Sequence, residues 1–219
     1  MKKNLLIALA TCITPLPAEE AEVGFQGALP QDSNWQNIGS ISVESVDEGG
    51  VKALSFVDES ESEFPSIVYP LTADLADRMR DQGYTLDIRL KHVLDGNPSG
   101  NFMINLRLPG LSPLQIAPYG QDSKTRLFLS VSDFASQKNV NLATAASEDF
   151  LSLRVIYRPD TSTGGGTCEV IFADDKSTTV TVGASEKSPR ASIEIGGRGG
   201  TTADRMGRTF VESLKLSIP

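Results

Sequence analysis

Arginine recurs at alternating positions of the predicted strands. Between residues 84 and 173 apolar side chains alternate with polar ones, and on four strands the polar side carries arginine. Guanidinium groups grip carboxylates through two parallel hydrogen bonds, and such charge-assisted bonds are strong. The candidate ligand-binding residues are Asp87, Arg89, Asn105, Arg107, Arg126, Phe128, Arg154, Arg158 and Glu169. If these strands share one sheet, we expect a groove for an acidic glycan, such as a sialylated or uronate-bearing chain.

The same residues also fit an ordinary solvated sheet face. In that interpretation the arginines pair with acids on neighbouring strands, and each pair contributes about 0.2–1 kcal/mol. The pairs would join Arg89, Arg107 and Arg154 to Asp87 and Glu169. Tyr119, in the segment Pro118-Tyr119-Gly120, is a further candidate because its ring can stack on a sugar.

Catalytic residues are not indicated. General acid/base work on a glycosidic bond needs two facing carboxyl groups, and alternation brings no two acids together on any one strand; Glu169 and Glu194 each stand alone. Cys168 has only His92 as a possible partner and is a weak nucleophile candidate. The sequence therefore favours a binding protein over an enzyme.

Cofactor and metal motifs are also absent from the sequence. A single histidine excludes a multi-histidine metal site. Five residues in turns offer the hard oxygen ligands that calcium prefers: Asp95, Asn97, Asp160, Asp174 and Asp175. Their spacing matches no calcium motif. The glycine-rich stretch 196–200 resembles a phosphate loop but leads into no predicted helix, so we interpret it as a plain loop. We expect no cofactor, with calcium left open.

The elements that must position the candidate residues are β-strands. Period-2 alternation dominates from residue 38 onward and predicts about ten strands, separated by Gly, Pro, Asp and Ser clusters. One short helix is predicted, with Thr72 as its N-cap, Leu75 and Met79 on one face, and Gly83 at its end. Clean alternation is typical of antiparallel sheets with one solvated face. The fold class predicted is an all-β, two-sheet antiparallel sandwich.

The first residues have the pattern of a secretory signal. Lys2 and Lys3 precede a short apolar run, and Ala18 precedes acidic residues, so we expect residues 1–18 to be removed and the protein to be secreted or periplasmic. The segment 9–12, Leu-Ala-Thr-Cys, is similar to a lipoprotein cleavage site, which would instead anchor the chain by lipid at Cys12. No later stretch is apolar enough to span a membrane. A net charge of −8 argues against nucleic acid as a partner.

Several strand and turn segments together resemble a known superfamily. They are Asn34-Trp35-Gln36-Asn37-Ile38-Gly39, Val51-Lys52-Ala53-Leu54-Ser55-Phe56, Gly83-Tyr84-Thr85-Leu86-Asp87-Ile88-Arg89-Leu90, Leu153-Arg154-Val155-Ile156-Tyr157-Arg158-Pro159, Ile193-Glu194-Ile195-Gly196-Gly197 and Phe210-Val211-Glu212-Ser213-Leu214-Lys215-Leu216. Their succession resembles the concanavalin A-like lectin/glucanase superfamily, in particular laminin G-like domains and the lectin-like domains of bacterial sialidases. The resemblance implies a jelly roll of two curved antiparallel sheets, over residues 34–219, after a lead-in at 19–33.

The resemblance also limits the functions to be considered. Many members of the superfamily bind glycans, some hydrolyse them, and calcium is common among them. The hydrolases carry acids spaced Glu-x-Asp-x-Glu on one strand, and this chain has no such run. We therefore expect an exported, non-catalytic carbohydrate-binding domain. A glycoside hydrolase or lyase of the same fold and a structural adhesion domain without a small ligand are the alternatives.

Overall fold

A computed structural model gives the fold of the chain. It describes residues 21–39, 43–57, 65–93, 102–120, 126–133, 135–145, 149–173, 176–185, 190–197 and 208–219. For residues 21–22, 119–120, 126–128 and 143–145 it describes the backbone alone. The signal-like residues 1–18, with Cys12, lie outside the described residues.

The described residues contain fifteen strands and one helix. They are β1 (Ala21–Gln26), β2 (Gln36–Ile38), β3 (Glu44–Glu48), β4 (Val51–Val57), β5 (Ser66–Pro70), α1 (Ala73–Gln82), β6 (Tyr84–Val93), β7 (Met103–Arg107), β8 (Leu114–Gly120), β9 (Arg126–Asp133), β10 (Lys138–Ala145), β11 (Leu151–Asp160), β12 (Gly165–Phe172), β13 (Lys176–Val182), β14 (Ser192–Gly196) and β15 (Arg208–Ser217).

The strands form two antiparallel sheets. The eight-stranded sheet has the order β13-β12-β11-β6-β15-β4-β3, with β1 pairing with the second half of β15 beyond β4. The seven-stranded sheet has the order β10-β9-β8-β7-β14-β5-β2. The prediction of an all-β, two-sheet antiparallel sandwich with one short helix is confirmed.

Alternation along each strand builds the core between the sheets. In β6 the side chains of Leu86, Ile88 and Leu90 are buried, whereas the intervening positions are partly or fully exposed. Side chains of successive strand residues point to opposite faces, so one face of each sheet is apolar and the other polar. The apolar faces of both sheets contribute to one hydrophobic core.

The predicted helix is confirmed at both ends. Thr72 Oγ1 accepts a hydrogen bond from the Leu75 backbone N–H at 3.3 Å. Gly83 ends the helix with a φ of 90°, and its N–H donates to the Met79 carbonyl at 3.2 Å. A positive φ is readily adopted only by glycine. In the described part of the chain no helix is long and apolar enough to cross a bilayer.

The structure contains more strands than the alternation predicts. Residues 21–26, inside the expected lead-in 19–33, form β1 and pair with the C-terminal strand, so the sandwich begins before residue 34. β8 lies between β7 and β9 although it contains Pro118, a residue that disfavours central strands because it cannot donate a ladder hydrogen bond. Tertiary pairing therefore forms strands whose local sequence does not predict them.

Candidate functional site

The strands that carry the candidate residues divide between the two sheets. Strands β6, β11 and β12, with Asp87, Arg89, Arg154, Arg158 and Glu169, belong to the eight-stranded sheet. Strands β7, β8 and β9, with Asn105, Arg107, Tyr119, Arg126 and Phe128, belong to the seven-stranded sheet. The condition for one shared arginine face, that all of these strands belong to one sheet, is therefore not met. Alternation determines whether a side chain points inward, but the chain crosses between sheets after β6 and again after β10, and local sequence does not show those crossings.

Ion pairs cover the outer face of the eight-stranded sheet. Arg154 faces Asp87 across the strands and binds it through two nitrogens, at 2.6 and 3.3 Å. The other pairs on this face are Arg158–Glu169 at 2.9 Å, Arg89–Glu212 at 2.7 Å and Lys91–Glu48 at 2.8 Å. Each arginine candidate on this sheet thus has a carboxylate partner. On a solvated face such pairs contribute at most about 1 kcal/mol each. A cleft of about 850 Å³ also opens on this face, and Asp87, Arg89 and Arg154 are among the residues that line it.

Amides and hydroxyls dominate the outer face of the seven-stranded sheet. Outward positions here alternate with buried apolar ones; Gln115, for example, lies between Leu114 and Ile116, which are both buried. The uncharged polar residues at outward positions are Gln36, Ser66, Asn105, Gln115, Ser130, Ser132, Asn139, Asn141 and Ser192. Such groups both donate and accept hydrogen bonds, as sugar hydroxyls do. The side chains of Tyr119, Arg126 and Phe128 lie outside the described residues, although their backbones belong to this sheet.

A cleft of about 500 Å³ opens on this face, across β2, β5, β14 and β7. Glu194 lies at its centre, because β14 places it opposite Asn105 on one side and Val68 on the other. The cleft is lined by Ile38, Ser66, Val68, Met103, Asn105, Arg107, Arg190, Glu194, Ile195, Gly196 and Gly197. Of the candidates from sequence, Asn105 and Arg107 lie in it together.

Hydrogen bonds to Glu194 orient the polar wall of the cleft. Its Oε2 accepts from Arg107 Nε at 3.1 Å and from Asn105 Nδ2 at 3.5 Å, and its Oε1 accepts from Ser192 Oγ at 2.9 Å. Because a carboxylate only accepts hydrogen bonds, the Asn105 amide must turn its nitrogen toward Glu194. Asn105 is 6% exposed, and its Oδ1 has no hydrogen-bond partner in the described part of the structure. A buried acceptor without a donor is unusual and costly.

Glycine forms part of the cleft floor. Gly196 lies on the outward side of β14, opposite Ser66 and Met103. Its φ of 132° disfavours any other residue, and a Cβ at this position would collide with the Pro65 carbonyl oxygen. The glycine-rich stretch 196–200 thus contributes its first two residues to the cleft, while residues 198–200 lie outside the described residues.

Reactive side chains elsewhere are buried away from this cleft. His92 is 5% exposed, its Nδ1 lies 2.7 Å from Thr209 Oγ1, and burial lowers its pKa to about 4. Cys168 is a free, buried thiol whose pKa burial raises to about 12. Such a thiol is inert as a nucleophile.

Metal ligands do not cluster in the described residues, where no group of three or more His, Cys, Asp or Glu side chains could hold an ion. Asp160 accepts hydrogen bonds from Ser162 in its own turn, and these lower the pKa of its carboxyl. The other turn residues considered for calcium, Asp95, Asn97, Asp174 and Asp175, lie outside the described residues.

Sequence reasoning missed three residues that shape the cleft. Glu194 was identified as an isolated acid, Gly196 as part of a plain loop, and Ile38 only as a strand residue. Alternation along β14 predicts that Glu194 points outward, which was the available signal. The role of Glu194 depends on the strands that flank β14, which are β5 and β7, and both lie far from β14 in sequence.

No family model and no curated protein matches the sequence. Solved structures do match the fold. A conserved carbohydrate esterase from Shiga toxin-encoding bacteriophage phi24B aligns with a TM-score of 0.66 at 13% identity, over 92% of this chain and 99% of the other. Peanut lectin with a nine-residue peptide gives 0.56 at 10%, over 90% and 96%. Alginate lyase Aly36B with an alginate tetrasaccharide gives 0.52 at 13%, over 80% and 83%. At such identities the likeness shows the fold, which is the concanavalin A-like jelly roll.

Proposed function

We propose that this concanavalin A-like jelly roll is an exported, non-catalytic carbohydrate-binding domain that holds acidic glycans on the outer face of its seven-stranded sheet. The signal-like residues 1–18 support export to the periplasm or the cell exterior. The esterase, lectin and lyase that share the fold support a carbohydrate ligand by analogy.

The geometry of Arg107 is the observation that carries the proposal. Glu194 binds its guanidinium through Nε alone, at 3.1 Å, and the two Nη atoms have no hydrogen-bond partner among the described residues. The side chain is about one third exposed, within the cleft. An Arg held through Nε still presents donors that a carboxylate can accept, and Arg190 also lines this cleft. Arg154, in contrast, already binds both oxygens of Asp87.

The surroundings of Arg107 suit a sugar chain. Amide and hydroxyl side chains occupy outward positions on strands from β2 at one edge to β10 at the other. Neighbouring strands lie about 4.8 Å apart, so seven strands span roughly 29 Å, enough for an oligosaccharide. An oligosaccharide lying across the strands would contact hydrogen-bonding side chains along its length and the guanidinium group of Arg107 at the cleft.

The carboxylate content of the cleft favours binding over hydrolysis. Among the described residues that line it, Glu194 is the single carboxylate. It serves as hydrogen-bond acceptor for Arg107, Ser192 and Asn105. Paired-acid hydrolysis needs a second carboxyl group about 5–10 Å away.

The proposal is tested by calorimetric titration of the purified protein with trigalacturonate, an acidic oligosaccharide. Loss of charge-assisted hydrogen bonds costs about 1.5–3 kcal/mol, so we expect Arg107→Ala to weaken binding roughly 10- to 100-fold. Arg154→Ala, on the opposite face and also exposed, is the matched control and should bind like the wild type.

Two results would contradict the proposal. Weakened binding by the Arg154 variant but not by the Arg107 variant would move the ligand to the eight-stranded sheet. New reducing or unsaturated ends released from polygalacturonate by the wild type, and not by Glu194→Gln, would make the protein an enzyme.

A further inference from the structure

Each sheet ends at strands that have one unpaired side. Such an edge presents backbone N–H and C=O groups that can pair with another chain, and proteins usually protect it with charges, bulges, short strands or covering segments. Among the described residues the edge strands are β1, β3 and β13 in the eight-stranded sheet, and β2 and β10 in the seven-stranded sheet. An edge without any of these protections is open to a partner.

Four of these five edges are protected. β3 carries acids at three of its five positions, and these would repel the same acids of a second copy. β1 has a register shift near its start, and β2 is only three residues long. The edge of β13 is covered by a side chain from the end of β9, because the Thr181 N–H donates to Asp133 Oδ1 at 2.7 Å.

β10 lacks these protections. It pairs with β9 over eight residues without a register shift, and no other described strand pairs with it. Residues 139–145, Asn-Val-Asn-Leu-Ala-Thr-Ala, contain no charge and no proline, in a chain with a net charge of −8. Val140 and Leu142 lie on the core side of β10, opposite Val131 and Leu129, but are only partly buried. A further strand beside β10 would bury more of their apolar surface.

We propose that β10 is an interface between two copies of this chain, whose β10 strands pair antiparallel about a two-fold axis. Such an interface must be self-complementary, and β10 fits this requirement. With the axis at Asn141, Val140 lies opposite the partner's Leu142 on the core side of the joined sheet. Asn141 lies opposite the partner's Asn141 on the outer side, and Lys138 opposite the partner's Thr144. No like charges meet in this register, so two acidic chains can approach at this edge.

Sedimentation velocity at increasing concentrations of the purified protein tests the interface. We expect the wild type to reach twice the mass of one chain. Asn141→Asp and Asn141→Lys each place two like charges opposite each other at the axis, so each should raise the dissociation constant of the dimer at least about tenfold. An equimolar mixture of the two variants brings opposite charges together and should restore the dimer.

A cysteine at the same position tests the register without a charge. Directly opposite residues of antiparallel strands have Cα atoms about 4.5–5.5 Å apart, which is within the range of a disulfide. Asn141→Cys should therefore form a covalent dimer under oxidation, seen on a non-reducing gel. Asn37 is also an exposed asparagine on an edge strand of this sheet, β2, so Asn37→Asp and Asn37→Cys are the matched controls. The first should dimerise like the wild type, and the second should form no covalent dimer.

Three results would overturn this interface. They are a wild type that stays monomeric at every concentration, charged variants at position 141 that dimerise as tightly as the wild type, and an Asn141→Cys variant that forms no more covalent dimer than Asn37→Cys. All of these measurements are made without a glycan. Their outcome therefore leaves the proposed carbohydrate binding untouched, and a failure of glycan binding leaves this interface untouched.

Discussion

His92 makes the stability of the fold depend on pH in a calculable way. It is the only histidine in the sequence, it points into the core from β6, and its ring contacts the Thr209 hydroxyl at 2.7 Å. Burial lowers its pKa from 6.5 to about 4. The folded protein therefore binds fewer protons at this site than the unfolded chain whenever the pH lies between these values.

The sign and size of the effect follow from linkage. A proton taken up preferentially by the unfolded state lowers the free energy of unfolding, so the stability is complete above pH 6.5 and is lost as the pH falls toward 4. The difference between the two pKa values corresponds to about 3 kcal/mol in the free energy of unfolding, of which about 2 kcal/mol is lost by pH 5.

Urea denaturation at pH 8 and pH 5 measures this loss. Trp35 is the single tryptophan and is buried against Phe25 and Tyr69, so its fluorescence reports unfolding. The control is His92→Gln, which keeps a polar group but does not titrate. Carboxylates titrate in both proteins, so their contribution cancels in the comparison. If the variant loses as much stability between pH 8 and pH 5 as the wild type, the reasoning about His92 is refuted.

Two further predictions concern structural residues. Burial raises the pKa of the Cys168 thiol to about 12, so in native protein at pH 8 it should react with a thiol reagent far more slowly than in urea-unfolded protein; equal rates would contradict its burial. Thr72→Ala removes the N-cap of α1 and should lower the free energy of unfolding by about 1 kcal/mol, measured by urea denaturation, whereas Thr72→Ser should retain most of the stability.

The sequence predicted those features of the fold that depend on residues close together in the chain. The inward residues of β6 follow from their spacing of two, and the ends of α1 follow from a hydroxyl cap at Thr72 and a glycine at position 83, all features within a few residues. Strand β1 was not predicted, because its partner β15 lies about 190 residues away in sequence.

The candidate site was predicted only in part for the same reason. Arg107 and Arg154 both occur on alternating strands, and nothing near either residue indicates that β7 and β11 belong to different sheets. Asp87 is a candidate partner from the sequence, and the structure pairs it with Arg154 across β6 and β11. The partner of Arg107 is Glu194 on β14, which the sequence does not indicate. A sequence pattern could identify the arginines, but not which of them retains hydrogen-bond donors for a ligand.

The position of β15 has a consequence for folding. β15 lies inside the eight-stranded sheet, with β6 on one side and β4 and β1 on the other. All three of its partners lie far from it in sequence, so the two halves of this sheet join only when β15 inserts between them. Pairings between distant segments slow folding because the loop between them must close first. We therefore expect the insertion of β15 to be a late step in the folding of this domain.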